Sequence, residues 1–138
     1  RQLDVTVVTG DRVLYQGPAL EVSAPAQQGM VSIRLRHAAL LAALQPGELD
    51  VTHPEGTEIW AVGGGFLEVI DDRVTILADT AEPAEEIDLR RAEEAFERAR
   101  LRTRRRVLEG EIEAAQDLAL RRSRVRIAVA RKALQKRT

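Results

Sequence analysis

A chain of 138 residues with 44% hydrophobic but only 3% aromatic side chains can fill one core, and that core must rest on Val, Ile, Leu and Ala. The absence of cysteine excludes disulfide staples, thiolate catalysis and cysteine-bound metal, and fits a reducing compartment. The net charge of −1 hides a division: residues up to Glu82 carry 5 basic and 12 acidic side chains, those from Pro83 onward 16 and 10. An acidic body with a basic tail points to a negatively charged partner for the tail, unless the charges are a solvated helix face. No apolar run approaches the roughly 20 residues of a membrane span, so no direct membrane insertion is expected. No signal-peptide pattern opens the chain, and its start at Arg1 rather than Met reads as trimming.

In chain order, Leu3–Val8 alternates as a strand does, and Thr9-Gly10-Asp11 supplies a turn. Val13–Tyr15 and Ala19–Ser23 read as short strands separated by Gly17-Pro18. A turn at Gln27-Gln28-Gly29 precedes a strand at Met30–Ile33. His37–Leu44 fits a short helix or a buried strand, ended by Gln45-Pro46-Gly47. Glu48–Thr52 and Glu58–Val62 flank His53-Pro54-Glu55-Gly56, whose proline and glycine suit a hairpin turn. Phe66–Ile70 and Arg73–Leu77 form another hairpin about Asp71-Asp72. Many short strands punctuated by Gly and Pro predict an antiparallel β-sandwich over residues 1–82.

Glu82-Pro83 breaks the sheet pattern, because proline donates nothing to a ladder. Residues 83–87 read as a hinge, and Asp88, a good N-cap type, opens a helical hairpin over 88–138. In the first helix Leu89, Ala92, Ala95, Phe96, Ala99, Thr103 and Val107 fall within an arc of roughly 120°. Gly110 interrupts the pattern, and a turn between Val107 and Gln116 returns the chain antiparallel. The returning helix gathers Ile112, Ala115, Leu118, Ala119, Leu120, Ile127, Val129, Ala130, Ala133 and Leu134 on one broad face. Arg121, Arg124, Arg131 and Lys132 lie on the other. Arg122 and Arg126, one turn apart, project from the apolar arc. They are either snorkelling or salt-bridged to Asp88 or a glutamate of the first helix, or they fork onto a ligand phosphate.

No catalytic constellation stands out. Gly63-Gly64-Gly65 precedes a strand and lacks the Gly-Lys-Ser/Thr of a phosphate loop, so it marks a bulge or a close backbone approach. His37 and His53 are too few for a histidine metal site and have no evident carboxylate companion; His53 reads as solvent-facing and His37 as buried or interfacial. The arginines lack aromatic neighbours to stack bases, which argues against nucleic acid. The chain is expected not to be an enzyme.

Three segments carry a resemblance: Ala61–Val69 (AVGGGFLEV), Val74–Glu82 (VTILADTAE) and Ile87–Ala92 (IDLRRA). The last fits an Ile/Leu-Asp-x-x-Arg-Ala signature, and Leu3–Thr9 and Leu41–Gly47 add to it. Together they resemble the epsilon subunit of F-type ATP synthase, called delta in mitochondria. The resemblance implies a sandwich of about ten strands. It implies a sandwich set against the gamma subunit and the c-ring, and a peripheral place on the cytoplasmic face of the bacterial membrane. It further implies a hairpin that folds down, or extends to brake hydrolysis against acidic loops of the alpha/beta catalytic subunits. Some members bind ATP with the folded hairpin, and the matching positions are Glu82, Ile87, Asp88, Arg91, Arg122 and Arg126. The family's Gly-Glu-Leu-Gly-Ile-x-Pro-Gly-His, in the loop facing the ring, is here Gly29-Met30-Val31-Ser32-Ile33-Arg34-Leu35-Arg36-His37. The alternative reading of the whole chain is a free-standing sandwich adaptor whose basic hairpin captures an acidic partner.

Overall fold

The computed structural model describes residues 1–113 and 117–137 and divides the chain into two compact units, Arg1–Pro83 and Ala84–Thr138. The first unit is a β-sandwich of eight strands: β1 (Leu3–Val8), β2 (Val13–Ala19), β3 (Glu21–Ala26), β4 (Gly29–Ile33), β5 (Leu40–His53), β6 (Gly56–Ile70), β7 (Arg73–Ala78) and β8 (Ala81–Pro83). They follow one hydrogen-bonded order, β2-β1-β7-β6-β5-β3-β4, with β8 on β6 alone. All pairs are antiparallel except β1–β7, which is parallel. β5 and β6 are 14 and 15 residues long and pair with each other from Leu40 opposite Val69 to His53 opposite Gly56. Splitting each at Gln45 and Gly64, which the β5–β6 register skips, gives the expected ten strands.

Alternation sets the core. Leu3, Val5 and Val7 of β1, Leu67 and Val69 of β6, and Val74 and Ile76 of β7 are essentially inaccessible to solvent. With Val22, Ile33, Leu49 and Val51 they form one aliphatic cluster. The Asp71-Asp72 hairpin is as expected: both residues take left-handed φ (48° and 64°), which matches the twist of a two-residue connection. Gly63–Gly65 marks a close backbone approach. A Cβ on Gly65 (φ 138°) would stand 2.0 Å from the Leu77 carbonyl oxygen.

Several boundaries differ from the sequence reading. β2 runs straight through Gly17-Pro18; it is an edge strand, where a missing N–H costs no ladder bond. Leu40–Leu44 is strand, and Gln45-Pro46-Gly47 continues β5 instead of ending it. Gly47 is needed because Pro25 packs on it, within 2.4 Å of where a Cβ would stand. Glu82-Pro83 does not break the sheet either, since β8 pairs on one side only and tolerates proline.

The second unit opens with a 3-10 turn at Ala84–Glu86 and continues as α1 (Leu89–Leu108) and α2 (Leu118–Arg137). The two helices pack together, and the 3-10 turn packs on α2. Arg131–Glu93 (3.2 Å) joins the end of α2 to the start of α1, and Thr103–Asp117 joins the end of α1 to the start of α2, so the hairpin is antiparallel. α1 ends in a glycine cap: Gly110 at φ 75° donates to Val107 O, and Glu111 N–H donates to Arg106 O. α2 begins at Leu118, not Ile112, because Asp117 caps it through Leu120 N–H (3.1 Å). Leu118, Ala119 and Leu134 are exposed rather than buried, while Ala115 lies outside the described residues. Val107 is exposed as well, at the frayed end of the α1 arc.

Candidate functional site

The residues matching the nucleotide motif divide between the units. Glu82 sits half-buried in β8 of the sandwich, opposite Ala61 of β6. The other five belong to the helical unit. Ile87 is buried just after the 3-10 turn. Asp88 is the N-cap of α1: its Oδ1 accepts from Arg91 N–H at 3.2 Å, and its Oδ2 lies 3.8 Å from Arg91 Nε. Arg91 itself is exposed. Arg122 and Arg126 are half-buried in α2, as expected of cations set in an apolar arc, and both are engaged in polar or ionic contacts.

The two cross-helix contacts fix the register of the hairpin and therefore the spacing of its cations. With Glu93 level with Arg131 and Thr103 level with Asp117, Arg91 stands near residue 132 of α2. At 1.5 Å per residue that is roughly 10 Å along the axis from Arg126 and roughly 15 Å from Arg122. The structure thus brings Arg122 and Arg126 together and sets Arg91 further along the hairpin. Three guanidiniums in such a row fit an extended polyanion better than a single phosphate. Asp88 caps the start of α1 beside Arg91.

Asp117 is a site residue that periodicity did not reveal. It is buried, accepts from Thr103 Oγ1 and caps α2. The Thr103 hydrogen bond holds its carboxyl below the ordinary value. Burial opposes this, and the Leu120 amide and the charge of Arg106 act with Thr103. Its signal in sequence is Asp before an apolar helical run, obscured by the equally apolar Ile112–Ala115 upstream.

On the sandwich, His53 is not solvent-facing. It stacks on Tyr15 (6.1 Å between ring centroids) and pairs with Glu58 at 3.3 Å, while Tyr15 meets Trp60 edge-on at 6.3 Å. Burial raises the Tyr15 phenol above its ordinary value, helped by Glu58 and Glu55. His37 is half-buried, with Nδ1 2.7 Å from Ala38 O. The outer face of the sheet carries an apolar row. Phe66 and Leu77 are register partners, 55% and 53% exposed, with Ala43 next to Phe66 and Val8 next to Leu77. No cluster of metal-binding side chains occurs among the described residues.

Residues 2–84 match the family described as ATP synthase, Delta/Epsilon chain, beta-sandwich domain. The chain belongs to the ATP synthase delta/epsilon family. An ATP synthase epsilon chain of Herpetosiphon aurantiacus is 44% identical over 129 residues, 94% of each chain. One from Chloroflexus aurantiacus is 47% identical over 93 residues, 67% of each. Epsilon chains are non-catalytic subunits, the class expected from the sequence. The fold recurs in a chain of the Euglena gracilis mitochondrial ATP synthase, OSCP/F1/c-ring in rotational state 1. There the TM-score is 0.70 at 21% identity, over 99% of this chain and 82% of that one. It recurs again in the Tetrahymena thermophila mitochondrial ATP synthase central stalk/c-ring, with a TM-score of 0.53 at 19% identity over 63% and 70%. Against the family's Pro-Gly-His, this member places Arg36 where the glycine stands and keeps a left-handed backbone there (φ 68°), held by Arg36 N–H donating to Asp72 Oδ1 at 2.6 Å.

Proposed function

We propose that this chain is the central-stalk rotor subunit of a proton-translocating F-type ATP synthase, joining gamma to the c-ring through its sandwich and inhibiting ATP hydrolysis through its helical hairpin. The observation that carries the reading is the exposed row of Phe66 and Leu77 on the outer sheet face, together with membership of the epsilon-chain family. Two apolar side chains held side by side on a rigid sheet, with every strand beneath them locked into the core, make a surface suited to a permanent partner. The relatives are named ATP synthase epsilon chain, and the Euglena and Tetrahymena structures contain a c-ring. This reading gives the chain a peripheral place, on the cytoplasmic face in a bacterium. No helix among the described residues is long and apolar enough to cross a membrane.

ATP enters as a regulatory ligand. Arg91, Arg122 and Arg126 supply the cations for its phosphates, and Ile87 an apolar contact. A ligand that binds only the folded hairpin stabilises it by RT ln(1 + [L]/Kd), so rising ATP holds the hairpin in its non-inhibitory form.

The test is assembly. The full chain is expected to co-purify with gamma, the c-ring and the alpha/beta hexamer, and Phe66→Asp with Leu77→Asp to weaken that association at least tenfold, about 1.4 kcal/mol. A folded chain that elutes apart from the synthase in both forms contradicts the reading and leaves the free-standing adaptor.

A further inference from the structure

We infer that the hydrogen bond between Thr103 and Asp117 is a latch: it holds α1 and α2 folded on one another, and its release lets the hairpin open without unfolding either helix. Among the described residues these are the only two polar side chains classed with the buried core, and each is the other's partner. A hydroxyl donating to an ionised carboxylate makes a strong bond, and a carboxylate left alone in the same place is costly.

The rest of the seam holds less firmly. The buried residues of α1 are Ala92, Ala99 and Thr103, which fall on one line along the helix, with Ala95 and Phe96 half-buried beside them. Alanine methyls bury far less apolar surface than leucines would. The leucines Leu101 and Leu108 lie on the opposite side of α1 and are exposed. The ion pair of Arg131 with Glu93 also joins the helices, but both partners are exposed, and water screens such a pair. The closed hairpin therefore leans on the one buried polar contact near its turn.

A latch also needs helices that survive its release. Both run 20 residues and consist mostly of Leu, Arg, Ala, Glu, Lys and Gln, all good helix formers. Their caps are local. Asp88 caps the start of α1, and Gly110 and Glu111 close its end, where Arg106 Nε reaches Glu111 Oε2 at 3.1 Å. Asp117 caps α2 through Oδ1, which accepts from Leu120 N–H, and only its Oδ2 reaches across to α1. When the helices part, Oδ1 keeps its cap and Oδ2 exchanges Thr103 for water. A contact made in one state alone sets the balance between two. The consequence for regulation rests on the rotor reading: where the hairpin brakes hydrolysis, the latch sets how much of the chain is free to extend.

The absence of cysteine makes the test direct. Arg98→Cys and Arg124→Cys, both exposed and near one level of the hairpin, place two spin labels on the full chain for pulsed-EPR distances. The native pair is expected to give one short distance. Thr103→Val should add a longer one and raise its share about fivefold, with the helical circular dichroism kept. Thr103→Ser, which keeps the hydroxyl, should restore the native distribution. An unchanged distribution in Thr103→Val, a longer distance that comes with lost helical signal, or no rescue by serine overturns the inference. In the reconstituted synthase, Thr103→Val should then deepen inhibition, slowing ATP hydrolysis about twofold. An unchanged rate there, where removing the hairpin does raise hydrolysis, overturns the latch as a control of the brake. If removing the hairpin changes nothing either while the distances do shift, the brake reading fails and the latch stands.

Discussion

Thr103 and Asp117 join the two helices through a buried hydrogen bond, the threonine hydroxyl donating to Oδ2 at 2.5 Å while Oδ1 of the same carboxylate caps α2. One side chain therefore closes the hairpin and starts its second helix. Thr103→Val keeps the shape and removes the donor, which is expected to cost the helical unit about 1–2 kcal/mol, since a buried acceptor loses its partner. Hydrogen exchange of the first turn of α2 measures it, and unchanged protection there would show that the bond adds nothing.

The same carboxylate makes the hairpin acid-sensitive. The Thr103 hydrogen bond and the Leu120 amide hold Asp117 below its ordinary value of 3.8. Its stabilisation is thus fully present above that value and is lost as pH falls through the lower folded value. Glu97, lowered by its hydrogen bond from Arg100, adds a contribution of the same sign. Helical signal followed from pH 6 to pH 2 is expected to fall for the native chain, and its dependence on pH to flatten in Asp117→Asn.

Two positions with positive φ test the backbone argument in opposite directions. Gly65→Ala forces a Cβ onto the Leu77 carbonyl at a positive φ and is expected to destabilise the sandwich by roughly 2–4 kcal/mol. Arg36→Gly relieves a left-handed residue and is expected to stabilise it by about 1 kcal/mol. Trp60, the single tryptophan, is buried in the same unit and reports denaturant unfolding of both.

For the nucleotide, titration calorimetry of the full chain with millimolar ATP is expected to give heat. Replacing Arg122 and Arg126 together by Ala should weaken binding at least tenfold, about 1.4 kcal/mol. Equal binding by the double variant would place the site elsewhere, and no heat from the native chain would leave the two arginines as ion-pair partners.

Much of this was legible in the chain because local patterns and tertiary packing agree. Leu3–Val8 alternates in sequence and in burial, and Asp71-Asp72 forms the turn its composition suits. The misreadings come where tertiary position overrides local chemistry. Pro18 and Pro83 look like breaks in sequence but lie on strands free on one side, which a linear reading does not display. Of the candidate site, Asp88 was legible as a cap, and Arg122 and Arg126 as cations in an apolar arc. The Thr103–Asp117 bond was not, since it depends on the register between two helices and on where the second begins. The pairing of His53 with Tyr15 and Glu58 likewise needs three strands in place.

The most direct test of the central claim is the rate of ATP hydrolysis by the reconstituted synthase carrying either the full chain or residues 1–83. The sandwich has its own aliphatic core and its last strand ends at Pro83, so the shortened chain is expected to fold and assemble. Hydrolysis should rise severalfold without the hairpin while proton-coupled synthesis continues. An unchanged hydrolysis rate in an assembled complex would contradict the claim that the hairpin is a brake.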